Sequence, residues 1–257
     1  MRKTVLITGA SGGLGLEFAR IYAREGFDLV VVARSEGKLY KLKSELETQY
    51  DCHVWVLAQD LSQPDAAYEV FNYTLEKNIT IDALVNNAGF GDFGNFWEVD
   101  AQRQTDLLQV NIMTLVQLTR YFLPGMVERR HGSVLNLSSV AAFSAGPRMC
   151  LYYASKEFVR SFSEAVAEEV RSTGVTVTAL CPGPTATGFE QAAQMKNSHM
   201  FSMFKPASAA AVAEAGFRAA QKGKTLRYCG WSTHTVSIAA RLLPRSVCRR
   251  FMMKVNG

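Results

Sequence analysis

A single stretch, TVLITGASGGLG at residues 4–15, decides the fold of this chain. Its first five residues form an apolar run typical of a buried strand, and Gly13–Glu25 carries apolar residues at helical spacing. Gly9 can adopt the positive φ of a tight turn, Gly13 lets the backbone approach a pyrophosphate, and Gly15 allows close helix–strand contact. The amides and dipole at the helix start favour phosphate. The stretch therefore predicts a dinucleotide-binding turn, although G-x-x-x-G-x-G differs from the general G-x-G-x-x-G fingerprint.

Outward from this turn, strands and helices alternate along the chain. The predicted strands are Thr4–Thr8, Phe27–Ala33, His53–Ala58, Ala83–Asn86, Ser133–Ser138, Val175–Leu180 and Leu226–Tyr228. The predicted helices are Gly13–Glu25, Ser35–Tyr50, Pro64–Lys77, Ala101–Arg129, Met149–Ser172 and Pro206–Lys222. This order predicts an α/β fold in which a doubly wound parallel sheet lies between two helical layers. We find no linker, so we expect one Rossmann-like domain over residues 1–257.

Composition limits the compartment and the partners. The chain has 257 residues, 48% of them hydrophobic, and a net charge of +5, which suits an anionic ligand without indicating nucleic acid. The five cysteines lack a C-x-x-C pair and the four histidines are widely spaced, so we predict reduced thiols and no metal site. No signal peptide and no apolar run of about 20 residues is visible. A cytoplasmic location follows as an expectation.

Tyr152 and Lys156 form the second informative feature. They lie four residues apart in a segment predicted to be helical, and residues at i and i+4 share one helix face. A nearby ammonium favours phenolate and lowers the pKa of a tyrosine, which makes the phenol a proton donor and acceptor near neutral pH. Such a spacing is common in helices, so it gains weight only together with the glycine-rich turn.

Several motifs in one order resemble the short-chain dehydrogenase/reductase family. They are T-G-x-x-x-G-x-G at Thr8–Gly15, Asn86-Asn87-Ala88-Gly89 after the fourth strand, a serine ahead of the tyrosine, and Tyr152 with Lys156. The resemblance covers the first three quarters of the chain, up to the region of Pro182-Gly183. The stretch Asn86–Phe93 is similar to bacterial members, many of which have no assigned substrate.

The resemblance implies the catalytic roles. Tyr152 would be the general acid/base that gives a proton to a carbonyl oxygen or takes one from an alcohol. Lys156 would lower the pKa of Tyr152 and hydrogen-bond the nicotinamide ribose. Asn111 resembles the asparagine that kinks the long helix and anchors a water in the proton relay. As an isolated helix residue, Asn111 would more often be solvated.

A serine would hold the substrate oxygen for hydride transfer. Ser139 lies 13 residues before Tyr152, at the end of a predicted strand, and this offset favours it. Ser138 competes for the same role. Tyr153 is the rival tyrosine, but only Tyr152 lies four residues from Lys156.

The resemblance also implies a set of dinucleotide contacts. Asp60 and Leu61 would contact the adenine, Asn87–Gly89 would border its ribose, and Pro182–Thr187 would close over the nicotinamide and pyrophosphate. The full set is Gly9, Ser11, Gly12, Gly13, Leu14, Gly15, Arg34, Asp60, Leu61, Asn87, Ala88, Gly89, Asn111, Tyr152, Lys156, Pro182, Gly183, Thr185 and Thr187.

The end of the second strand indicates which dinucleotide binds. Sites for NAD usually carry an Asp or Glu about 20 residues after the glycine turn, where it binds the ribose 2′-hydroxyl. Ala33-Arg34-Ser35 occupies that position, without a carboxylate. A guanidinium binds a 2′-phosphate bidentately. Arg34, with Ser11 and Lys38, therefore predicts that NADP(H) binds, and NAD(H) is the weaker alternative. The alternative for Arg34 itself is that it is a solvated charge at the end of the strand.

Residues 184–205 are a candidate substrate lid, because the stretch is long for a connection in a compact domain. Its apolar residues are Phe189, Met195, Met200, Phe201, Met203 and Phe204. The opposite walls are expected from Phe90, Phe93, Phe96, Phe143 and Met149. Met and Phe suit an adaptable apolar pocket, so we expect a rather apolar substrate. Packing into the core or a subunit interface is an equal alternative.

Residues 232–257 form a separate tail. Ile238–Val255 interleaves apolar with basic residues, and Pro244 predicts two short helices. Basic amphipathic helices can lie on anionic membranes. Such a segment more often packs on its own domain or on a partner subunit, which is the expectation here.

The function that these features predict is an NADP(H)-dependent oxidoreductase, which moves hydride between nicotinamide and a carbonyl or secondary alcohol. The alternative is a non-catalytic NADP(H)-binding sensor, for which Ser139, Tyr152 and Lys156 would have no use together. A sugar-nucleotide epimerase or dehydratase would usually have a larger substrate domain. The resemblance implies a homodimer or homotetramer built on the two long helices.

Overall fold

A seven-stranded parallel sheet is the core of the protein, whose computed structural model describes residues 2–189 and 206–256. Its strands are β1 Thr4–Thr8, β2 Asp28–Ala33, β3 Val54–Ala58, β4 Ala83–Asn86, β5 Gly132–Leu137, β6 Val175–Pro182 and β9 Leu226–Cys229. Two short strands, β7 Thr185–Ala186 and β8 Ala207–Ser208, pair separately. Each of the seven predicted strands is confirmed, with bounds within two residues.

The sheet order is β3-β2-β1-β4-β5-β6-β9. Leu6 of β1 lies opposite Val30 of β2 on one side and Leu84 of β4 on the other, all in parallel register. The direction of winding reverses between β1 and β4. Ligands of doubly wound sheets bind outside the carboxyl ends of the strands at such a switch point.

Nine helices of the described residues surround the sheet. They are α1 Gly13–Arg24, α2 Glu36–Gln49, α3 Ala66–Glu76, α4 Ala101–Leu108, α5 Leu115–Glu128, α6 Cys150–Glu169, α7 Ala209–Gln221, α8 Trp231–Leu242 and α9 Arg245–Val255. On one face α1 and α2 bury Phe18 and Leu39; on the other α3 and α5 bury Val70 and Leu118. The predicted three-layer α/β/α fold is confirmed.

The predicted long helix Ala101–Arg129 is wrong in one respect. It is interrupted by a π-helical segment at Gln109–Thr114, between α4 and α5. Such segments are rare and occur frequently at functional sites. Asn111 lies within this one and is almost fully buried, so the interruption coincides with the residue for which the resemblance implied a kink.

A buried polar network fixes the elements beneath the carboxyl edge. The Asn86 amide donates to Thr119 Oγ1 at 3.1 Å and to Asn136 Oδ1 at 2.9 Å. The Asn136 amide in turn donates to Ser163 Oγ at 2.9 Å. These bonds join β4 and β5 to α5 and α6. Because satisfied buried polar groups are directional, they orient α6 against the sheet.

The second half of the chain departs from the prediction at its connections. The predicted helix Pro206–Lys222 begins as β8, and Ser208 caps α7 by accepting from the Ala211 amide at 3.2 Å. The first tail helix begins at Trp231 rather than Ile238. Most of the predicted lid, residues 190–205, lies outside the described residues. Nowhere in the described chain is a helix both long and apolar enough to cross a bilayer.

Candidate active site

The glycine-rich turn between β1 and α1 has the geometry that glycine permits. Gly9 has φ +69° and Gly13 φ +55°, in the left-handed region. The Gly9 amide donates to Val32 O at 2.8 Å, which fixes the turn to β2. A Cβ on Gly15 would overlap the Gly9 carbonyl, whereas one on Gly13 would lie 3.1 Å from Thr187 Cβ. Gly15 thus lies at a close helix–strand approach, and Gly13 leaves room for the segment after β6.

The start of α1 faces the same space without a cap. Its N-cap residue is Gly12, which has no side chain, and the first turn has no acidic residue. The first amides of a helix have no partner within the helix, and its dipole places positive charge there. This end of α1 therefore fits the pyrophosphate of a dinucleotide.

Two adjoining cavities lie along the carboxyl edge. One, of about 290 Å³, is lined by Gly9, Gly12, Gly13, Leu14, Asn87, Ala88, Gly89, Ser139, Tyr152, Lys156, Pro182, Gly183, Thr185 and Thr187 among others. The other, of about 460 Å³, is lined by Gly9, Ser11, Arg34, Asp60, Leu61, Ala88 and Gly89 among others. The shared glycines and Ala88 separate the side that contains Tyr152 from the side that contains Arg34, and we call these the expected nicotinamide side and the expected adenine side. Of the residues predicted for the site, Gly15 and Asn111 line neither cavity.

Tyr152 is partly buried in the first cavity. Burial raises the pKa of its phenol to about 12, and a hydrogen bond from Ser139 acts in the opposite direction. The Lys156 ammonium lies 5.8 Å from the centre of the Tyr152 ring. In the structure the largest cause acting on this pKa is burial, so the expectation that Lys156 lowers the pKa of Tyr152 stays a prediction.

Lys156 is 4% exposed. Its ammonium donates to the Leu137 carbonyl at 2.7 Å, at the end of β5. Burial lowers the pKa of Lys156 to about 8. A Cβ on Gly89 would lie 3.3 Å from Nζ. Glycine at that position thus leaves the ammonium accessible from the cavity.

We expect Lys156→Met to change the pH dependence of stability. Since burial lowers the pKa of Lys156 from 10.5 to about 8, the native state holds a poorly solvated cation below pH 8 and releases the proton above it. The unfolded chain keeps that proton up to pH 10.5, so the wild-type protein gains stability as pH rises through this window. The variant lacks this gain.

Urea unfolding of both proteins from about pH 7 to about pH 10 measures the effect. The free energy of unfolding of Lys156→Met minus that of wild type should be largest near pH 7. This difference should decrease by up to about 3 kcal/mol as the pH rises to about 10. Lys77→Met, at an exposed site, is the matched control. A difference for Lys156→Met that stays constant with pH would contradict the burial argument.

The two candidate serines have different partners. Ser138 Oγ donates to the Lys156 carbonyl at 2.8 Å and so ties β5 to α6. Ser139 Oγ accepts from the Ala141 amide at 3.1 Å, at the start of a 3₁₀ turn over Val140–Phe143. Ser139 lines the cavity with Tyr152, and its hydroxyl acts to lower the pKa of the phenol. The geometry thus brings Ser139, rather than Ser138, to the phenol.

Asn111 lies behind the cavity and is not solvated. Its Oδ1 accepts from the Phe90 amide at 3.1 Å, and its Nδ2 donates to the Phe90 carbonyl at 3.0 Å. Nδ2 also donates to Ser155 Oγ at 3.1 Å. Asn111 therefore connects the π segment both to the loop after β4 and to α6. Its contact on α6 is Ser155, which is next to Lys156 in the sequence.

The adenine side carries Arg34 at the carboxyl end of β2. Arg34 is exposed and lines the second cavity with Ser11, whereas Glu36 does not line it. The Asp60 carboxylate accepts from Ser62 through its amide at 3.0 Å and its hydroxyl at 2.9 Å. The cavity thus presents a guanidinium at the end of β2. Three carboxylates also line it, and each accepts a hydrogen bond: Asp60 from Ser62, Asp100 from the Arg103 amide and Asp106 from Gln102.

Sequence reasoning missed one side of this cavity. Arg103 of α4 lines it, donates to the Gly91 carbonyl at 2.9 Å and lies 5.2 Å above the Phe90 ring. None of the sequence motifs includes Arg103, because it lies on α4, far in sequence from the glycine turn and from Arg34. Phe90 accordingly lies on the adenine side and not on the substrate wall.

The expected apolar walls are found in part. Ala141, Met149 and Tyr153 form a buried cluster, against which Phe93, Tyr152, Phe189 and Met252 pack. Phe143 instead packs on Tyr228, with ring centres 5.4 Å apart, and Phe96 is exposed. Met252 was not anticipated, since it comes from the tail helix α9. The substrate side is thus lined by aromatic and methionine side chains.

A sequence profile described as short chain dehydrogenase matches residues 3–198. The very-long-chain 3-oxoacyl-CoA reductase of Anas platyrhynchos is 30% identical over 98% of this chain and 79% of its own. The uncharacterized oxidoreductase YvrD of Bacillus subtilis is 35% identical over 72% of this chain and 69% of its own. A fungal reductase of the same name as the duck protein, from Laccaria bicolor, is matched over only 52% of its length.

Solved structures agree with the sequence matches. A short-chain dehydrogenase from Sphingobium yanoikuyae in complex with NADPH is 28% identical with a TM-score of 0.83, covering 98% of this chain and 95% of its own. A 7β-hydroxysteroid dehydrogenase is 26% identical with a TM-score of 0.87, and the match covers 98% of this chain and 96% of its own. A short-chain dehydrogenase/reductase from Burkholderia phymatum in complex with NAD is 26% identical with a TM-score of 0.81, and the match covers 94% of this chain and 92% of its own.

The fold and the arrangement of tyrosine, lysine and glycine turn define a nicotinamide-dependent type of oxidoreductase site. The chain belongs to the short-chain dehydrogenase/reductase family. The resemblance drawn from its motifs is thereby confirmed, including the similarity to bacterial oxidoreductases without an assigned substrate.

Proposed function

We propose that the protein is an NADPH-dependent reductase of apolar carbonyl compounds. The observation that carries this proposal is one cavity in which Ser139, Tyr152 and Lys156 face the uncapped start of α1. When bound, the dinucleotide supplies hydride to the carbonyl carbon. The residues of the chain supply the proton and hold the oxygen.

Tyr152 is suited to be the proton donor. A phenol whose pKa is about 12 is neutral at physiological pH and can give its proton to an oxygen that gains negative charge. Ser139, which lines the same cavity, would donate to that oxygen and orient it. Lys156, whose pKa is about 8, remains largely protonated at neutral pH and would stabilise the phenolate that forms.

Several residues support the preference for NADPH. Arg34 and Ser11 would hold a 2′-phosphate, since a guanidinium binds phosphate bidentately. Gly9, Gly12 and Gly13 would admit the pyrophosphate, and Thr185 and Thr187, which line the same cavity, would contact it. The Sphingobium relative binds NADPH and the Burkholderia relative binds NAD, so the choice depends on Arg34 in this chain.

The lining of the substrate side favours an apolar, extended or bulky carbonyl compound. Met149 and Phe189 line this cavity with Tyr152, and Phe93 packs on the same apolar cluster. Among the described residues, no Lys, Arg, Asp or Glu other than Lys156 lines the cavity. Relatives are named for 3-oxoacyl thioesters and for a hydroxysteroid. These names define the chemical classes worth testing rather than the substrate itself.

A screen of carbonyl compounds tests the proposal. We expect NADPH absorbance to fall with 3-oxoacyl thioesters, oxosteroids or bulky ketones, and to change little with short polar aldehydes and ketones. The matched control is the Tyr152→Phe protein with the same compounds. Binding of NADPH without turnover of any carbonyl would instead favour the non-catalytic sensor.

A further inference from the structure

Positive charge is concentrated in the last part of the chain. Residues 215–257 carry nine lysines and arginines and no aspartate or glutamate, although the net charge of the whole chain is only +5. The preceding 214 residues therefore have a net charge of −4. Such charge asymmetry within one chain is typical of contact with an anionic surface.

One face of α9 attaches the tail to the domain. Asn256, at its end, donates to the Pro147 carbonyl at 2.8 Å and accepts from the Tyr153 hydroxyl at 3.4 Å. Val255 and Asn256 are buried, and Met252 packs against the cluster beside Tyr152. This part of the tail agrees with the expectation that it packs on its own domain.

A second face of α9, its outer face, is exposed. Val247 and Phe251, one turn apart, are 49% and 55% exposed. Arg250 and Lys254 are exposed, and their positions place them on the same side of the helix as Val247 and Phe251. Leu242, at the end of α8, is 80% exposed. The tail thus presents apolar side chains flanked by cations.

We propose that the outer face of α9, with the α8–α9 connection, docks on an anionic phospholipid surface. Apolar side chains beside lysine and arginine are the composition of helices that lie in the headgroup region of a bilayer. Juxtaposed cations are attracted to anionic lipid. A second copy of the chain fits less well, because a two-fold contact through α9 would set the same cations against each other.

Docking does not depend on the proposed function, but it has a consequence for the site. The inner face of α9 packs against the cluster around Tyr152. A bilayer beneath the outer face would therefore lie beside the substrate side of the cleft. This contrasts with the expectation from the sequence, which favoured packing alone.

Sedimentation with lipid vesicles tests the proposal on the whole protein. The probes are vesicles of phosphatidylcholine alone and of phosphatidylcholine mixed with phosphatidylglycerol. One variant removes charge from this face and from the α8–α9 connection, Arg245→Gln/Arg250→Gln/Lys254→Gln, and a second removes apolar surface, Val247→Ser/Phe251→Ser. The matched control, Lys41→Gln/Lys77→Gln/Arg171→Gln, removes three charges outside the tail. Far-ultraviolet circular dichroism and the thermal unfolding midpoint check that each variant is folded.

The proposal predicts binding to the mixed vesicles only, and weaker binding when salt is raised from about 0.1 M to about 1 M. The charge variant should bind about a hundredfold less tightly, whereas the control should bind like wild type. Equal losses in both charge variants, or no vesicle binding by wild type, would overturn the proposal. The proposal would also be overturned if the Val247→Ser/Phe251→Ser protein kept its vesicle binding but had a lower oligomeric mass than wild type, since α9 would then form a subunit contact.

Discussion

Replacing Tyr152 by phenylalanine should lower kcat/KM for carbonyl reduction by about 10²- to 10⁴-fold. The substitution removes only the phenolic hydroxyl, which is the proton donor, and leaves the ring against Phe189 and Met149. The Kd for NADPH should remain close to that of wild type, because the glycine turn and Arg34 are unchanged. Steady-state kinetics with the best carbonyl from the screen, and fluorescence titration with NADPH, measure the two quantities.

Tyr153→Phe is the matched control for this result. Tyr153 is the neighbouring residue, but its hydroxyl is hydrogen-bonded to Asn256 and does not reach Ser139 through any described contact. Its loss should weaken the attachment of α9 and alter KM more than kcat. A Tyr152→Phe protein that turns over as fast as wild type, or a larger loss in Tyr153→Phe, would assign the proton transfer to another group.

Arg34→Ala should weaken NADPH binding by about 10- to 100-fold and leave NADH binding nearly unchanged. A charge-assisted hydrogen bond contributes roughly 1.5–3 kcal/mol, and each 1.4 kcal/mol corresponds to about a factor of ten in Kd. The guanidinium is exposed at the end of β2, so its removal should not disturb the core. Titration of both proteins with NADPH and NADH gives the four dissociation constants.

Lys41→Ala is the control for charge, because Lys41 lies on α2 and does not line the cavity. It should leave the ratio of the two dissociation constants unchanged. Equal affinity of the wild-type protein for NADPH and NADH would remove the basis for assigning Arg34 to the 2′-phosphate.

The sheet and the glycine turn could be predicted from the sequence because both depend on local patterns. Buried strands read as apolar runs bounded by turns, and only glycine tolerates the backbone of Gly9 and the close approach at Gly15. The i, i+4 spacing of Tyr152 and Lys156 likewise places both side chains on one face of α6.

The electrostatics of the site could not be predicted in the same way. Spacing indicated that an ammonium lies near the phenol, but the pKa of Tyr152 depends on how much solvent both groups lose. Burial of Tyr152 and Lys156 is a property of the packed fold. The π segment at Gln109–Thr114 is similar, since it is stabilised by bonds from Asn111 to Phe90 and Ser155.

The contacts of the tail were also beyond sequence reasoning. The pattern of residues 238–255 indicated amphipathic helices but not which face would meet the domain. Asn256 and Met252 carry no motif, and their positions near Tyr153 follow from tertiary packing.

A crystal structure of the protein with NADP⁺ and the alcohol product of its best substrate would test the central claim most directly. We predict that the product oxygen lies within about 3.2 Å of both Tyr152 Oη and Ser139 Oγ, next to the nicotinamide ring. Ser138 should remain bonded to the Lys156 carbonyl. A product oxygen held by other groups, with Tyr152 Oη turned away from it, would contradict the proposed proton transfer.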